Sequence, residues 1–185
     1  MTSGPVARAN LLQKAEQYIL RHGLLDLTLT AVAEGIDSNR RMLLYHFGSL
    51  DELVNEAISD ILERHDLTNQ LAALLQAEGD LVDRLDAAWA HLADPALLSW
   101  HRIYFARVGL AVEDSVHYET FLAESRAGWP ALLEETMLAR RVHDAKTLSL
   151  AVAAAWTGLQ LALLSGEDRT TLARVHHTTV AALLA

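Results

Sequence analysis

Gly23-Leu24-Leu25-Asp26-Leu27-Thr28-Leu29-Thr30-Ala31-Val32-Ala33-Glu34 and Asn39-Arg40-Arg41-Met42-Leu43-Leu44-Tyr45-His46-Phe47-Gly48-Ser49 are the segments whose reading decides the fold. Thr28 is a good N-cap for a short helix carrying Leu29, Val32 and Ala33. Gly35-Ile36-Asp37-Ser38 reads as a turn, and Asp37 stands where a positive φ is favoured, which Asp tolerates better than most residues with a β-carbon. Asn39 caps the next helix, which opens on Arg40 and Arg41 and buries Leu43, Leu44 and Phe47. Two short helices joined by a tight polar turn form the pattern of a helix-turn-helix, whose second helix enters the DNA major groove.

The flanking sequence completes a helical frame. Pro5 suits the first turn of a helix through Leu11, Leu12, Ala15, Tyr18, Ile19 and His22, ended by Gly23. Gly48-Ser49 breaks the arginine-led helix, and Ser49 with Glu52 is a capping-box signature for a fourth, through Leu53, Val54, Ala57, Ile58 and Ile61. Glu63-Arg64-His65-Asp66 reads as its exit, with Leu67 to Ala77 able to continue helically. Further helical segments run from Asp80 to Leu92, from Pro95 to about Val112, and from Ser115 to about Arg141, with a kink or break expected at Gly128-Trp129-Pro130. Asp144 is read as the cap of a long helix to about Leu164, and Asp168 or Thr170 starts the last one. With no alternating apolar and polar run, the chain is read as all-α with about nine helices. It divides into a helix-turn-helix head at residues 1–48 and a helical domain at 49–185.

Charge is distributed unevenly. The 185 residues carry a net charge of −9, which opposes broad affinity for nucleic acid. Residues 1–50 nevertheless set Arg8, Lys14, Arg21, Arg40 and Arg41 against Glu16, Asp26, Glu34 and Asp37, a net of +1. The acidity therefore belongs to the remainder, and the front end is able to approach phosphate. No cysteine is present, no uninterrupted apolar run reaches the roughly 18 residues of a membrane span, and Met1-Thr2-Ser3-Gly4-Pro5 lacks signal-peptide blocks. The expectation is a soluble cytoplasmic protein without a membrane partner.

The head resembles the DNA-binding domain of the tetracycline-repressor (TetR) family of bacterial regulators. The resemblance rests on Gly23, Thr28, Val32-Ala33-Glu34, Leu43, Tyr45-His46-Phe47, Gly48-Ser49 and Glu52-Leu53, without a gap, over about residues 9–60. Asn39 replaces a capping Ser, Leu44 replaces a Tyr that touches the DNA backbone, and Leu50 replaces a phosphate-binding Lys. Arg41, where the family often has Gly, restores part of the lost contact. Arg40 and Arg41 reach base edges or phosphates, arginine on guanine being the commonest specific contact. Tyr45 and His46 contact phosphate or thymine methyl by the resemblance, with Tyr45 packed on the first helix and His46 bonded to backbone as the alternatives. Thr28 is a structural cap that also suits a phosphate.

The same resemblance implies a pocket for an inducing ligand within the second domain. The aromatic middle of the chain supplies Trp100, Tyr104, Phe121 and Trp129, with His101 as polar partner, for a small apolar or aromatic ligand. It also implies a homodimer formed by the last two helices. Their apolar stripes are Val152, Ala155, Trp156, Leu159 and Leu163, then Leu172, Val175, Thr179 and Leu183; intramolecular packing is the alternative. The expected partner is a palindromic double-stranded operator, because two heads related by a two-fold axis read two half-sites. The fourth helix, following directly on the head, is the expected lever by which ligand would displace the reading helices.

Other chemistries find little support. His176 and His177 are adjacent, so on a helix they diverge by about 100° and do not share one ion, and no metal or cofactor is expected. No nucleophile elbow, phosphate-binding glycine loop or His-Glu-x-x-His motif occurs. The reading is a non-enzymatic, ligand-responsive DNA-binding regulator, most simply a repressor. The alternative is a helical interaction protein whose DNA-binding head has degenerated, suggested by Leu44, Leu50 and the acidity.

Overall fold

A computed structural model of the chain describes residues 4–185, apart from the side chains of residues 62–65 and 126. Met1 to Ser3, and the side chains of Glu63, Arg64 and His65 in the expected polar exit, lie outside the described residues. Among the described residues there are ten α-helices and no strand: α1 Gly4–His22, α2 Leu29–Gly35, α3 Arg40–Phe47, α4 Leu50–His65, α5 Leu67–Gln76, α6 Leu81–Leu92, α7 Leu98–Glu113, α8 Glu119–Ala139, α9 Ala145–Leu164 and α10 Arg169–Leu183. A 3-10 turn, Pro95–Leu97, precedes α7. The helix beyond the expected nine is α5, set off from α4 by Asp66 with its φ of 44°.

The chain forms two compact units, Met1–Asp66 with Arg102–Gly109, and Leu67–His101 with Leu110–Ala185. In the first, α1 packs on α2 and α4, and α3 packs on α2 and α4, around Ala15, Ile19, Val32, Leu43, Phe47, Leu53 and Ala57. The end of the helix-turn-helix at residue 48 is thus no break in packing, since α4 covers α1 and α3. Tyr18 explains the close approach of α1 to α2: a β-carbon on Gly35 would lie 2.0 Å from its ring. The hydrogen there is the only side chain that leaves the ring its place.

In the second unit α5 packs on α6 and α8, α8 on α9, and α10 on both α6 and α9. Leu71, Leu85, Trp89, Leu133, Met137, Val152, Trp156 and Val180 fill its interior. Arg140, just after α8, donates to the carbonyls of Leu75, Ala77 and Gly79 at 3.2, 2.8 and 2.6 Å, closing the open end of α5.

Two local expectations need correction. Of the kink or break expected at Pro130, the break does not occur: Pro130 lies inside α8 without ending it. Asp144 occupies the N-cap position of α9 in the left-handed conformation, φ 54° and ψ 38°, and its side chain accepts no capping hydrogen bond. A capping side chain needs an extended backbone to reach the next turn. Asp80 and Asp168 have that backbone and do cap, accepting from Val82 N and Thr171 N at 2.8 Å each.

Candidate nucleic-acid interface and the aromatic interior

Helix α3 is held from both ends by residues adjacent to it in sequence. Asn39, extended at φ −137° and ψ 156°, accepts from Met42 N at 3.0 Å, so α3 starts at Arg40. Thr28 does the same for α2, accepting from Ala31 N at 3.1 Å. Asp37 sits between them with φ 54°, the left-handed turn residue expected from sequence. At the far end Gly48, φ 78°, closes α3 with its N–H on Leu44 O at 2.9 Å. Ser49 then starts α4 by accepting from Glu52 N at 3.0 Å.

With Leu43 and Phe47 buried, Arg40, Arg41, Leu44 and Tyr45 lie on the exposed surface of α3. Arg41, Leu44 and Tyr45 follow i, i+3, i+4 spacing and share a face. Neither arginine pairs with an acid among the described residues, so both guanidiniums are available to an anionic partner. Tyr45 is 79% exposed and therefore does not pack on α1, and its ring meets His46 edge-on at 4.9 Å. Leu44, expected on the buried side of the helix with Leu43 and Phe47, is instead 43% exposed and presents a branched apolar group to solvent. His46 is half-buried at the edge of this face.

The aromatic residues of the second unit form a continuous interior. Trp100 stacks on Trp129 (6.4 Å between ring centroids, 16° between planes), and Trp129 meets Trp156 edge-on at 6.0 Å. His101 is fully buried beside Trp100. Its Nε2 donates to Leu92 O at 2.7 Å, which leaves Nδ1 as a buried acceptor without a partner among the described residues. Burial holds the His101 pKa below the ordinary histidine value, against the opposing effect of the Leu92 carbonyl. Phe121 is buried, whereas Tyr104 belongs to the first unit and its ring meets Phe105. Trp100 and Trp129 are thus brought together, and Tyr104 is grouped apart from them.

Sequence reading missed a hydrogen-bonded chain across α6, α9 and α10. Trp156 Nε1 donates to His176 Nε2 at 2.9 Å, and His176 Nδ1 donates to Asp86 Oδ1 at 2.8 Å. The other carboxylate oxygen accepts from His177 Nδ1 at 2.7 Å. Trp89 stacks on the His176 ring at 5.6 Å. Because Nε2 must receive the indole hydrogen, this geometry holds His176 neutral with its proton on Nδ1. Desolvation lowers its pKa further, outweighing Asp86, which raises it. The adjacency of His176 and His177 was visible in sequence, but their shared acceptor lies on another helix. An open groove of about 490 Å³ runs beside them, lined by Trp89 and Ala90 of α6 and by Thr170, Ala173, Arg174 and Thr178 of α10.

A pH dependence follows with a definite sign. His101 and His176 have lowered pKa values in the folded chain. Below the ordinary histidine value the unfolded chain therefore binds more protons, and stability falls as pH drops. Above it their contribution is constant. The urea midpoint is expected to be lower at pH 5.5 than at pH 7.5, with a smaller difference in His176→Gln. Equal pH dependence in the two proteins would show that His176 is not responsible.

The expected dimer stripes also need correction. Val152, Trp156, Leu159 and Leu163 are buried within the chain, because the side of α9 they share packs on α8 and α10, and Leu172 is buried on α10, which packs on α6 and α9. Ala155, Thr179 and Leu183 are half-buried, and Val175 is exposed. The outward face of α9 carries Leu150, Ala154, Thr157, Gly158 and Leu161. Apolar on both sides, α9 has the length and mean hydropathy, 1.6, of a membrane-crossing helix, but part of its surface is interior to the unit.

No family model and no curated protein matches the chain. Solved structures do. A transcriptional regulator from Rhodococcus sp. Rha1 is 18% identical with a TM-score of 0.74, each chain covered to 96%. A TetR-family transcriptional regulator from Streptomyces coelicolor is 16% identical with a TM-score of 0.72, over 96% of this chain and 94% of that one. A multidrug binding protein, EbrR, complexed with imidazole, is 20% identical with a TM-score of 0.69, over 98% and 91%. The chain has the fold of the TetR-family transcriptional regulators: an all-α helix-turn-helix head followed by a helical domain.

Proposed function

We propose that the chain is a TetR-like transcriptional regulator that binds a palindromic operator as a homodimer, represses from it, and is released by a small apolar or aromatic ligand. The observation that carries this reading is the capped helix α3 with Arg40, Arg41 and Tyr45 exposed on it and neither arginine paired with an acid among the described residues. Residues 1–48 read DNA, and residues 49–185 bind ligand and dimerise. Arg40 and Arg41 reach guanine edges or phosphate, Tyr45 and His46 lie at the following contacts, and the N-termini of α2 and α3, at Thr28 and Asn39, face phosphate.

In the second domain, Trp100, Phe121 and Trp129 offer flat apolar contacts. The bare Nδ1 of His101 suits a ligand that carries a hydrogen-bond donor. EbrR, a multidrug binding protein of the same fold, supports a ligand of this kind. A ligand that prefers the form with misplaced reading helices shifts the population away from DNA, and by linkage DNA weakens the ligand equally. Dimerisation uses the outward faces of α9 and α10, where Val175, Leu150 and Leu161 are exposed and a β-carbon at Gly158 would meet open space. A regulator of this kind acts in the cytoplasm, with no catalytic step.

Selection of bound duplexes from random double-stranded DNA tests the reading. The expected result is a palindrome with half-site centres about 34–36 Å apart. Absence of enrichment even at low salt would favour the degenerate-head interaction protein instead.

A further inference from the structure

Arg8, near the start of α1, engages three groups at once. Nη1 and Nη2 donate to Oε1 and Oε2 of Glu56 on α4 at 2.5 and 2.6 Å. Nε donates to the backbone carbonyl of His46 at 3.2 Å. The guanidinium carbon also lies 4.8 Å from the centre of the Phe47 ring. His46 and Phe47 are the last two residues of α3.

The chemistry of each contact is specific. The last carbonyls of a helix have no partner within it, and a cation there is favoured by the helix dipole. The His46 carbonyl is such a group, and Arg8 supplies both the donor and the charge. Only a planar fork grips a carboxylate through two nitrogens while a third reaches a carbonyl; a lysine ammonium satisfies one of these at a time. Arg8, though partly exposed, has its charge matched by Glu56, whereas Arg40 and Arg41 pair with no acid among the described residues. The contacts span 38 and 48 residues of sequence, so they act between helices rather than along one.

We infer that Arg8 and Glu56 form a positioning clamp that fixes the C-terminal end of the reading helix against α1 and α4. The angle at which Arg41, Leu44 and Tyr45 meet DNA depends on this pair, and a displacement of α4 reaches α3 through the Glu56–Arg8–His46 chain. The consequence for DNA rests on the proposed function; the clamp itself does not.

Two readouts separate the clamp from a simple phosphate contact by Arg8. The first is amide hydrogen exchange at His46, Phe47 and Gly48 in wild type, Arg8→Lys and Glu56→Gln. Faster exchange is expected at these amides in both variants, with the thermal midpoint lowered by no more than about 3 °C, as for a partly exposed pair. The second is affinity for the duplex that wild type selects from random DNA. Arg8→Lys and Glu56→Gln are each expected to weaken binding about fivefold or more, and the double variant no further than the weaker single one. The salt dependence of binding stays that of wild type.

Unchanged exchange at the three amides in Glu56→Gln overturns the clamp. So does tighter DNA binding by Glu56→Gln together with a salt slope shallower by about 0.9 in Arg8→Ala, the signature of a phosphate ligand relieved of a neighbouring acid. Should wild type select no duplex, the DNA reading fails and the exchange measurement still decides the clamp.

Discussion

Arg40→Ala combined with Arg41→Ala is expected to abolish specific DNA binding while leaving the fold intact. Both side chains are exposed at the start of α3 and pair with no described acid, so their removal empties no cavity and strands no partner. The helix start is held by Asn39, which the substitutions do not touch, and Ala is the better helix former at both positions. A good bidentate contact to guanine contributes about 1–3 kcal/mol of discrimination. Losing even one such contact from each half-site of a dimer weakens binding by roughly 30-fold or more. Fluorescence anisotropy with the selected duplex measures this, and circular dichroism checks that the helices remain. Affinity held within about threefold of wild type would remove α3 as the reading element.

Trp156→Ala is expected to have the largest effect on stability of any single substitution in the second unit. The side chain is fully buried, packs edge-on to Trp129, and gives His176 the hydrogen that Nε2 requires. Truncating a buried aromatic costs about 3–5 kcal/mol, against a total of about 5–15 kcal/mol for a domain. Trp156→Phe separates the two contributions: it keeps most of the ring and leaves His176 Nε2 unsatisfied, at a cost of about 1–3 kcal/mol. Urea unfolding followed by far-ultraviolet circular dichroism distinguishes them. A loss under about 1 kcal/mol in Trp156→Ala would mean that α9 does not depend on this side chain.

The head was legible because its determinants are local. Thr28, Asn39 and Ser49 each accept from a backbone N–H three residues ahead, and Asp37 and Gly48 hold the positive φ that their turns need. A cap within one turn of its acceptor leaves a signature at fixed spacing; of the three apolar residues expected on the buried side of α3, Leu43 and Phe47 are buried and Leu44 is exposed. The same local reading failed at Asp144, where the residue type suits a cap and the left-handed backbone turns its side chain away. At Pro130 the break it allowed for does not occur, since α8 runs on through that residue.

The second unit was harder for a definable reason. Helix α9 is apolar around most of its circumference, so periodicity alone does not select which stripe meets α8 and α10 and which meets solvent. Val152 and Trp156 proved interior, and Leu150 and Leu161 exterior. Composition likewise marked the tryptophans as important without showing that Trp100, Trp129 and Trp156 touch in sequence order.

By itself the sequence determined most of the helices, the caps at Thr28, Asn39 and Ser49, and the exposed arginine-led face, since each depends on residues within a few positions of one another. Only the tertiary structure decided that Asp86 and Trp156 share His176, and that Arg8 joins Glu56 to the end of the reading helix. These bonds join residues 20 to 90 positions apart in the chain. Their geometry is set by which helix faces another across a packed core, and no spacing along a single helix encodes that choice.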